Sequence, residues 1–246
     1  MCRVESIGSA ALLALCIGLA EAAPPLDPER AASVHLWDAV ELQISRLRGE
    51  LGFAQLSPPV REALEQVPRH LFMPEAQRPH AYENRPLPIG YGQTISQPLI
   101  VALMTELLGV GPGDRVFELG TGSGYQAAVL DALGCEVYSV EIIPELARRA
   151  RAVLDAQGYE DVHTRVGDGY FGWPEAAPFD AIIVTAASDH VPPPLVQQLK
   201  PGGRMLIPVG GRYATQQLVL VTRDADGLVK TREITPVHFV PLTGQR

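Results

Sequence analysis

The sequence predicts an α/β fold: a doubly wound, mostly parallel sheet with a helical extension before it and a β-hairpin at its end. Three observations carry this. From Gly113 onward, short apolar runs alternate with helical stretches, the rhythm of parallel strands covered on both faces. Ahead of Gly113 the pattern is helical and then irregular. Near the C-terminus two β-rich runs flank the turn sequence Asp224-Ala225-Asp226-Gly227.

Each element follows from its residues. Trp37, Val40, Ile44, Leu47 and Leu51 form one face of a helix. Ser57-Pro58 opens a second helix through Val67, with Ser as cap and Pro in the first turn. Pro74 to Gly92 reads as a loop, and Gln97 to Leu108 as an apolar helix behind Ser96. The alternation then gives strands at Arg115 to Leu119, Glu136 to Val140, Val162 to Val166, Ala181 to Val184 and Arg204 to Val209. The helices between them are Tyr125 to Leu133, Pro144 to Gln157 and Leu195 to Leu199. Pro201-Gly202-Gly203 is a turn. Leu218 to Thr222 and Val229 to Ile234 form the hairpin. No internal repeat is present.

The 246 residues suffice for one large domain, and a hydrophobic content of 46% against 20% charged residues provides a core. The net charge of −8 argues against a nucleic-acid surface. Cys2, Cys16 and Cys135 have no metal-ligand spacing and imply no disulfide framework. His70, His80, His163 and His190 likewise lack metal spacing, so no metal is expected, and Trp37 and Trp173 read as packing residues. Lys200 is expected at a helix end, where a cation offsets the dipole.

Two readings stand for the N-terminus. Ile7 to Ala20 is apolar and too short to span a membrane; Arg3 precedes it, and Ala20-Glu21-Ala22 resembles a cleavage site. That fits a secretory signal and a periplasmic or exported protein. Glu5 offsets Arg3, however, and Leu13-Ala14-Leu15-Cys16 is a poor lipoprotein box. The other reading is an extension from an early start codon.

Glu118-Leu119-Gly120-Thr121-Gly122-Ser123-Gly124-Tyr125 joins the first strand of the alternation to its helix. Such glycines let the chain turn sharply and let a ligand approach the backbone. Alone, the loop also fits a plain tight connection. Glu141, 21 positions after Gly120, ends the next strand at the spacing of a ribose-binding carboxylate. Dinucleotide loops place a third glycine where Tyr125 stands. Glu118 would repel a pyrophosphate but attract a sulfonium or ammonium. These features favour S-adenosylmethionine over a dinucleotide, and hence a Rossmann-like class I methyltransferase. Asp168, in Gly167-Asp168-Gly169, can accept from an adenine amino group, though by itself it reads as a turn. Thr185-Ala186-Ala187 faces the crevice and leaves room for the methyl donor.

The destination of the methyl comes from a resemblance. Val67-Pro68-Arg69-His70-Leu71-Phe72, Ala81-Tyr82 and Leu87-Pro88-Ile89-Gly90-Tyr91-Gly92-Gln93-Thr94-Ile95-Ser96-Gln97-Pro98 precede the glycine loop. Leu199-Lys200-Pro201-Gly202-Gly203-Arg204, Ile207-Pro208-Val209-Gly210 and Phe239-Val240-Pro241-Leu242-Thr243 follow it. Together these segments resemble the protein-L-isoaspartate O-methyltransferase family, from roughly Ser33 to Gly244. The resemblance implies methylation of the free carboxylate of L-isoaspartyl residues in damaged proteins, with return to Asp through a succinimide. It implies Ser96 as the active-site serine. It implies that the Ile89 to Ser96 loop, with Ile89, Gln93, Thr94 and Ile95, and the Val209-Gly210 backbone cradle the acceptor. The cofactor set is Glu118, Gly120, Thr121, Gly122, Ser123, Gly124, Glu141 and Asp168.

A carboxylate acceptor is ionised at pH 7 and needs no strong base. Ser96 can donate to it while also capping the Gln97 helix. No histidine or acid partner marks it as a nucleophile.

The expected organisation is an extension and linker over 1–28, a helical and substrate-loop region over 29–108 and a cofactor-binding core over 109–246. Residues 29–246 would be one catalytic domain. The expected protein is a cytoplasmic monomer without nucleic-acid or stable membrane partners. Rivals are a methyltransferase of the same fold with a small-molecule or nucleic-acid acceptor, a nucleotide-dependent oxidoreductase, and a non-catalytic binding protein. The first is disfavoured for bases because Thr185-Ala186-Ala187-Ser188 stands where an Asn- or Asp-Pro-Pro-aromatic segment is usual.

Overall fold

The computed structural model describes residues 27–211 and 215–244. The N-terminal apolar run, Cys2 and Cys16 lie outside the described residues. Among the described residues, no helix is long and apolar enough to cross a membrane.

Three helices come first: α1 (Pro28–Arg46), α2 (Arg48–Leu51) and α3 (Pro58–Gln66). Asp27 caps α1 by accepting from the Arg30 N–H at 2.9 Å. The expected Ser57 cap of α3 is absent. The Ser57 N–H and hydroxyl both donate to Glu106 Oε2 at 2.9 Å. Donation to a distant carboxylate, worth about 1.5–3 kcal/mol for a charged acceptor, turns the hydroxyl away from the first-turn N–H groups it would have accepted from.

The stretch read as a loop ends in the first strand and tip of a hairpin, β1 (Leu87–Gly90), which pairs antiparallel with β2 (Gln93–Ile95) just beyond it. Gly90 and Gly92, at φ 94° and 71°, flank Tyr91 at 54°, so the tip is a left-handed run that a strand pattern does not reveal. The helix behind it, α4 (Pro98–Leu108), begins one residue later than expected. Its N-cap is Gln97, and no side chain makes the cap. Ser96 therefore stands outside the helix and does not cap it.

The remaining elements are β3 (Arg115–Leu119), α5 (Tyr125–Ala132), β4 (Glu136–Glu141), α6 (Pro144–Ala156), β5 (Val162–Val166), β6 (Phe179–Val184), α7 (Pro193–Gln198), β7 (Leu199–Val209), β8 (Gln216–Arg223) and β9 (Val229–Val237). They form one seven-stranded sheet in the order β5-β4-β3-β6-β7-β8-β9. The strands from β5 to β7 are parallel; β8 and β9 are antiparallel and make the expected hairpin. Alternation along β3 and β6 divides the core. Val116 and Ile183 join the side that holds α1 and α3 to α6. Phe117, Leu119, Ile182 and Val184 join the other. β3 lies between β4 and β6, where connections depart in both directions, and ligands bind outside the carboxyl ends of strands at such a point.

The Pro201-Gly202-Gly203 turn lies inside β7 rather than before it. Phe179 pairs with Leu199 and Ala181 with Arg204, so Lys200 to Gly203 bulge out of the ladder. Lys200 follows the Leu199 C-cap of α7, at the helix end as expected, and the bulge brings its Nζ to Asp180 Oδ2 at 2.7 Å as an ion pair. A Cβ on Gly203 would stand 2.8 Å from the Asp180 carbonyl oxygen and 2.9 Å from that of Lys200. Gly203→Ala is expected to lower stability by about 1–3 kcal/mol, as overpacking against fixed backbone does. Urea unfolding checks it: the midpoint falls at constant slope. An unchanged midpoint would mean the bulge widens freely.

Candidate active site

A cleft of about 770 Å³ opens at the carboxyl ends of β3, β4 and β6. Its floor is the glycine loop. At Gly120, φ is 97° and a Cβ would stand 2.5 Å from Thr185 Oγ1. That hydroxyl cannot easily yield, because it is held at 2.9 Å and 2.7 Å by the carbonyls of Leu119 and Gly120. The Gly120 N–H donates to the Val140 carbonyl at 2.8 Å, which ties the loop to β4.

Glu141 completes the floor and organises it. Its Oε2 accepts from the Gly122 N–H at 2.8 Å and its Oε1 from the Ile143 N–H at 2.9 Å. Each oxygen has a second lone pair, so the carboxylate can order the loop and still accept a ligand hydroxyl.

Glu118 forms the wall and is wholly buried. It pairs in register with Ser139 of β4. The Ser139 hydroxyl donates to Glu118 Oε2 at 2.5 Å and lies 2.6 Å from Thr121 Oγ1. Glu118 Oε1 is buried with no hydrogen-bond partner. Burial pushes the carboxyl up to about 8; the Ser139 hydrogen bond opposes this and the nearby Glu141 charge adds to it. Empty, the site holds a neutral carboxyl; a cationic ligand would favour its carboxylate form and pair with the free oxygen.

The far wall is the β1–β2 hairpin and its exit. Gln93, Thr94, Ile95 and Ser96 all line the cleft. Ser96 and Thr94 also line an adjoining depression of about 740 Å³, with Pro236 to Val240 on its other side. Ser96 thus stands where the two spaces meet. Its backbone is fixed from behind: Arg69 Nη2 donates to the Ser96 carbonyl at 2.7 Å.

The structure brings together Ser96, Gln93, Thr94, Ile95, Glu118, Gly120, Thr121, Gly122, Ser123 and Glu141. It does not bring the rest. Ile89 is buried, within 3.7 Å of the position a Cβ would take on Gly122, and underpins the loop. Gly124 faces Ala150 and Leu154 of α6. Val209 pairs with Ser188, and Gly210, with Asp189 and Gln216, lines a neighbouring depression that shares Pro241, Leu242 and Thr243 with the cleft. Asp168 accepts from the Tyr170 N–H at 3.0 Å and abuts Gly244, while its neighbour Gly169 lines the cleft.

Sequence reasoning gave no site role to Gln126, Ile142, Ile143 or residues 240–243, which also line the cleft. The last group arrives through a strand-like pairing: the Ala187 N–H donates to Val240 and the Leu242 N–H to Ala187. Buried Gln216 clasps both backbone groups of Phe239, at 3.0 Å and 2.6 Å. Among the described residues, no three His, Cys, Asp or Glu side chains gather as a metal set.

Comparison with known proteins bears on this cleft. A model of the family described as protein-L-isoaspartate(D-aspartate) O-methyltransferase matches residues 44–246. The protein-L-isoaspartate O-methyltransferase 1 of Cupriavidus necator is 56% identical over 237 residues, covering 96% of this chain and 90% of that protein. Its namesake in Nitrosospira multiformis is 60% identical over 191 residues, covering 76% of this chain and 81% of that protein. A Plasmodium falciparum beta-aspartate methyltransferase, solved in complex with S-adenosyl-L-homocysteine, superimposes with a TM-score of 0.68 at 25% identity. It covers 84% of this chain and 98% of its own.

The Glu118 carboxyl makes a prediction that needs no ligand. Folding raises it from 4.5 to about 8. Between those values the folded protein holds a proton that the unfolded chain releases. Its contribution to stability is complete below the unfolded value and is lost as pH rises through the folded one. Glu118→Gln is neutral throughout, so wild-type stability relative to this variant is expected to fall from about pH 5 to about pH 9, by a few kcal/mol. Urea unfolding across that range measures it. A flat difference would refute a buried, protonated Glu118.

Proposed function

The chain belongs to the protein-L-isoaspartate(D-aspartate) O-methyltransferase family, and on that premise we propose that it moves the methyl group of S-adenosylmethionine to the free carboxylate of L-isoaspartyl residues in damaged proteins. The observation that carries this reading is the pair of walls in one cleft: the unpaired Glu118 carboxylate on one side and the Gln93 to Ser96 segment on the other.

S-adenosylmethionine supplies an electrophilic methyl on a cationic sulfur. Glu118 offers its free oxygen to the positive charge of that cofactor, and the ordered Glu141 carboxylate accepts from ribose hydroxyls. The Gly120 to Ser123 backbone lets the cofactor approach closely, supported by the left-handed Gly120. Ser96 donates its hydroxyl to one oxygen of the acceptor carboxylate and leaves the other to attack. The acceptor is already ionised, so the chain supplies alignment and water exclusion rather than a base. A carbon–oxygen bond forms as the carbon–sulfur bond breaks, and anion and cation both become neutral. The following backbone nitrogen then attacks the methyl ester, methanol leaves as the succinimide closes, and hydrolysis returns some normal Asp.

We infer further that the enzyme is a monomer working in the cytoplasm, where its cofactor is made, without nucleic-acid or stable membrane partners. The net charge of −8 supports the first exclusion. Export is the alternative if Ile7 to Ala22 is a signal; a mature protein beginning at Ala23 would reverse the assignment.

Purified protein is expected to transfer labelled methyl to an isoaspartyl peptide and not to its Asp twin. Equal labelling of both overturns the choice of substrate. Ser96→Ala is expected to lower methylation at least tenfold with cofactor affinity nearly unchanged, since one oriented donor on a charged group is worth about 1.5–3 kcal/mol. Glu141→Ala is expected to weaken cofactor binding first, read by calorimetry. Loss of cofactor binding in the Ser96 variant would instead make that residue part of the cofactor site.

A further inference from the structure

Arg69 is the one lysine or arginine among the described residues that is buried, and its side chain is fully so. Its Nε donates to the Ala81 carbonyl at 3.0 Å and its Nη2 to the Ser96 carbonyl at 2.7 Å. The guanidinium lies 5.0 Å from the centre of the Tyr125 ring, which itself lines the cleft. Nη1 has no partner. Among the described residues no carboxylate forms an ion pair with Arg69, and the groups that face it electrostatically are the phenols of Tyr125 and Tyr82.

A bare buried charge is costly. Two carbonyls and an aromatic face do not require one, since a neutral amide can donate to two carbonyls. Burial lowers the guanidinium to about 10, so it stays charged at neutral pH. The cost therefore calls for a compensating anion, and the described chain supplies none. The atom that Nη2 holds belongs to Ser96, the residue at the junction of the cofactor cleft and the adjoining depression.

We propose that Arg69 is a positioning residue for the acceptor: it fixes the Ser96 backbone and supplies the uncompensated positive charge that draws a carboxylate to Ser96. The inference rests on the reading of the site as a carboxylate methyltransferase. The cleft then has two poles, Glu118 for the cationic cofactor and Arg69 for the anionic acceptor. Because the charge lies behind Ser96 rather than in contact with the acceptor, it acts through low-dielectric protein, where charges a few ångströms apart still interact appreciably.

Two variants separate charge from tether. Arg69→Lys keeps the charge with fewer fixed donors; Arg69→Gln keeps donors and loses the charge. The KM for an isoaspartyl peptide is expected to rise about tenfold in the Gln variant and no more than about threefold in the Lys variant. The cofactor Kd is expected to stay within about twofold in both. A second measurement uses the wild-type enzyme, in case either variant folds poorly. An isoaspartyl peptide should compete at least tenfold better than an analogue whose acceptor carboxylate is replaced by a carboxamide. Equal peptide KM in the two variants, or equal competition by the two peptides, overturns the role of the charge. Wild-type turnover of the isoaspartyl peptide, measured first, keeps the levels apart. Its absence overturns the functional reading and Arg69's role with it; its presence with equal variants overturns Arg69's role alone.

Discussion

The site depends on a carboxylate that the fold refuses to solvate. Glu118 occupies a strand position whose neighbours Val116 and Ile183 belong to the core, and a simple fold would place an apolar residue there. The parallel register between β3 and β4 sets Ser139 opposite it, and that hydroxyl satisfies only one of its oxygens. The other stays unpaired. The glycine loop is tied to the satisfied oxygen instead, Thr121 meeting the Ser139 hydroxyl that donates to Oε2. Such a residue lowers the stability of the empty protein and raises its affinity for a cation, the familiar exchange of stability for function.

Much of the cofactor side was legible in the sequence because its geometry is local. A strand, a glycine turn and a helix occupy consecutive residues, and Glu141 ends the adjacent strand at a fixed separation. Spacing marks Glu141 as a ribose acceptor, while the structure adds that it holds the Gly122 and Ile143 N–H groups. The strand alternation was legible for the same reason, since parallel strands buried on both faces are continuous apolar runs.

The acceptor side was less legible because it is assembled from distant segments. Residues 240–243 reach the cleft only through pairing with Ala187 and the Gln216 clasp, and no periodicity announces either. The β1–β2 hairpin hid behind prolines and a left-handed tip. Ser96 and Ser57 look like caps by type and position, yet Gln97 is the N-cap of α4 and Glu106 takes the Ser57 donors. Arg69 gave no pattern at all. It stands between Pro68 and His70, and only burial between Ala81, Ser96 and Tyr125 makes it unusual. Val209 and Gly210, carried over by resemblance, lie beside the cleft: Gly210 lines a depression that shares Pro241, Leu242 and Thr243 with it, and Val209 pairs with Ser188.

The proposed reaction explains why both poles would be tolerated. An anion and a cation combine to give a neutral ester and a neutral thioether, so charge vanishes along the reaction coordinate. A low-dielectric cleft strengthens the attraction between the two reactants when they meet. It also penalises each of them when it binds alone. Glu118 and Arg69 would offset that penalty separately, Glu118 beside the cofactor and Arg69 from behind Ser96. Once the charges have cancelled, neither residue has anything left to hold. The same two unpaired groups that would assemble the reactants would therefore favour release of both products.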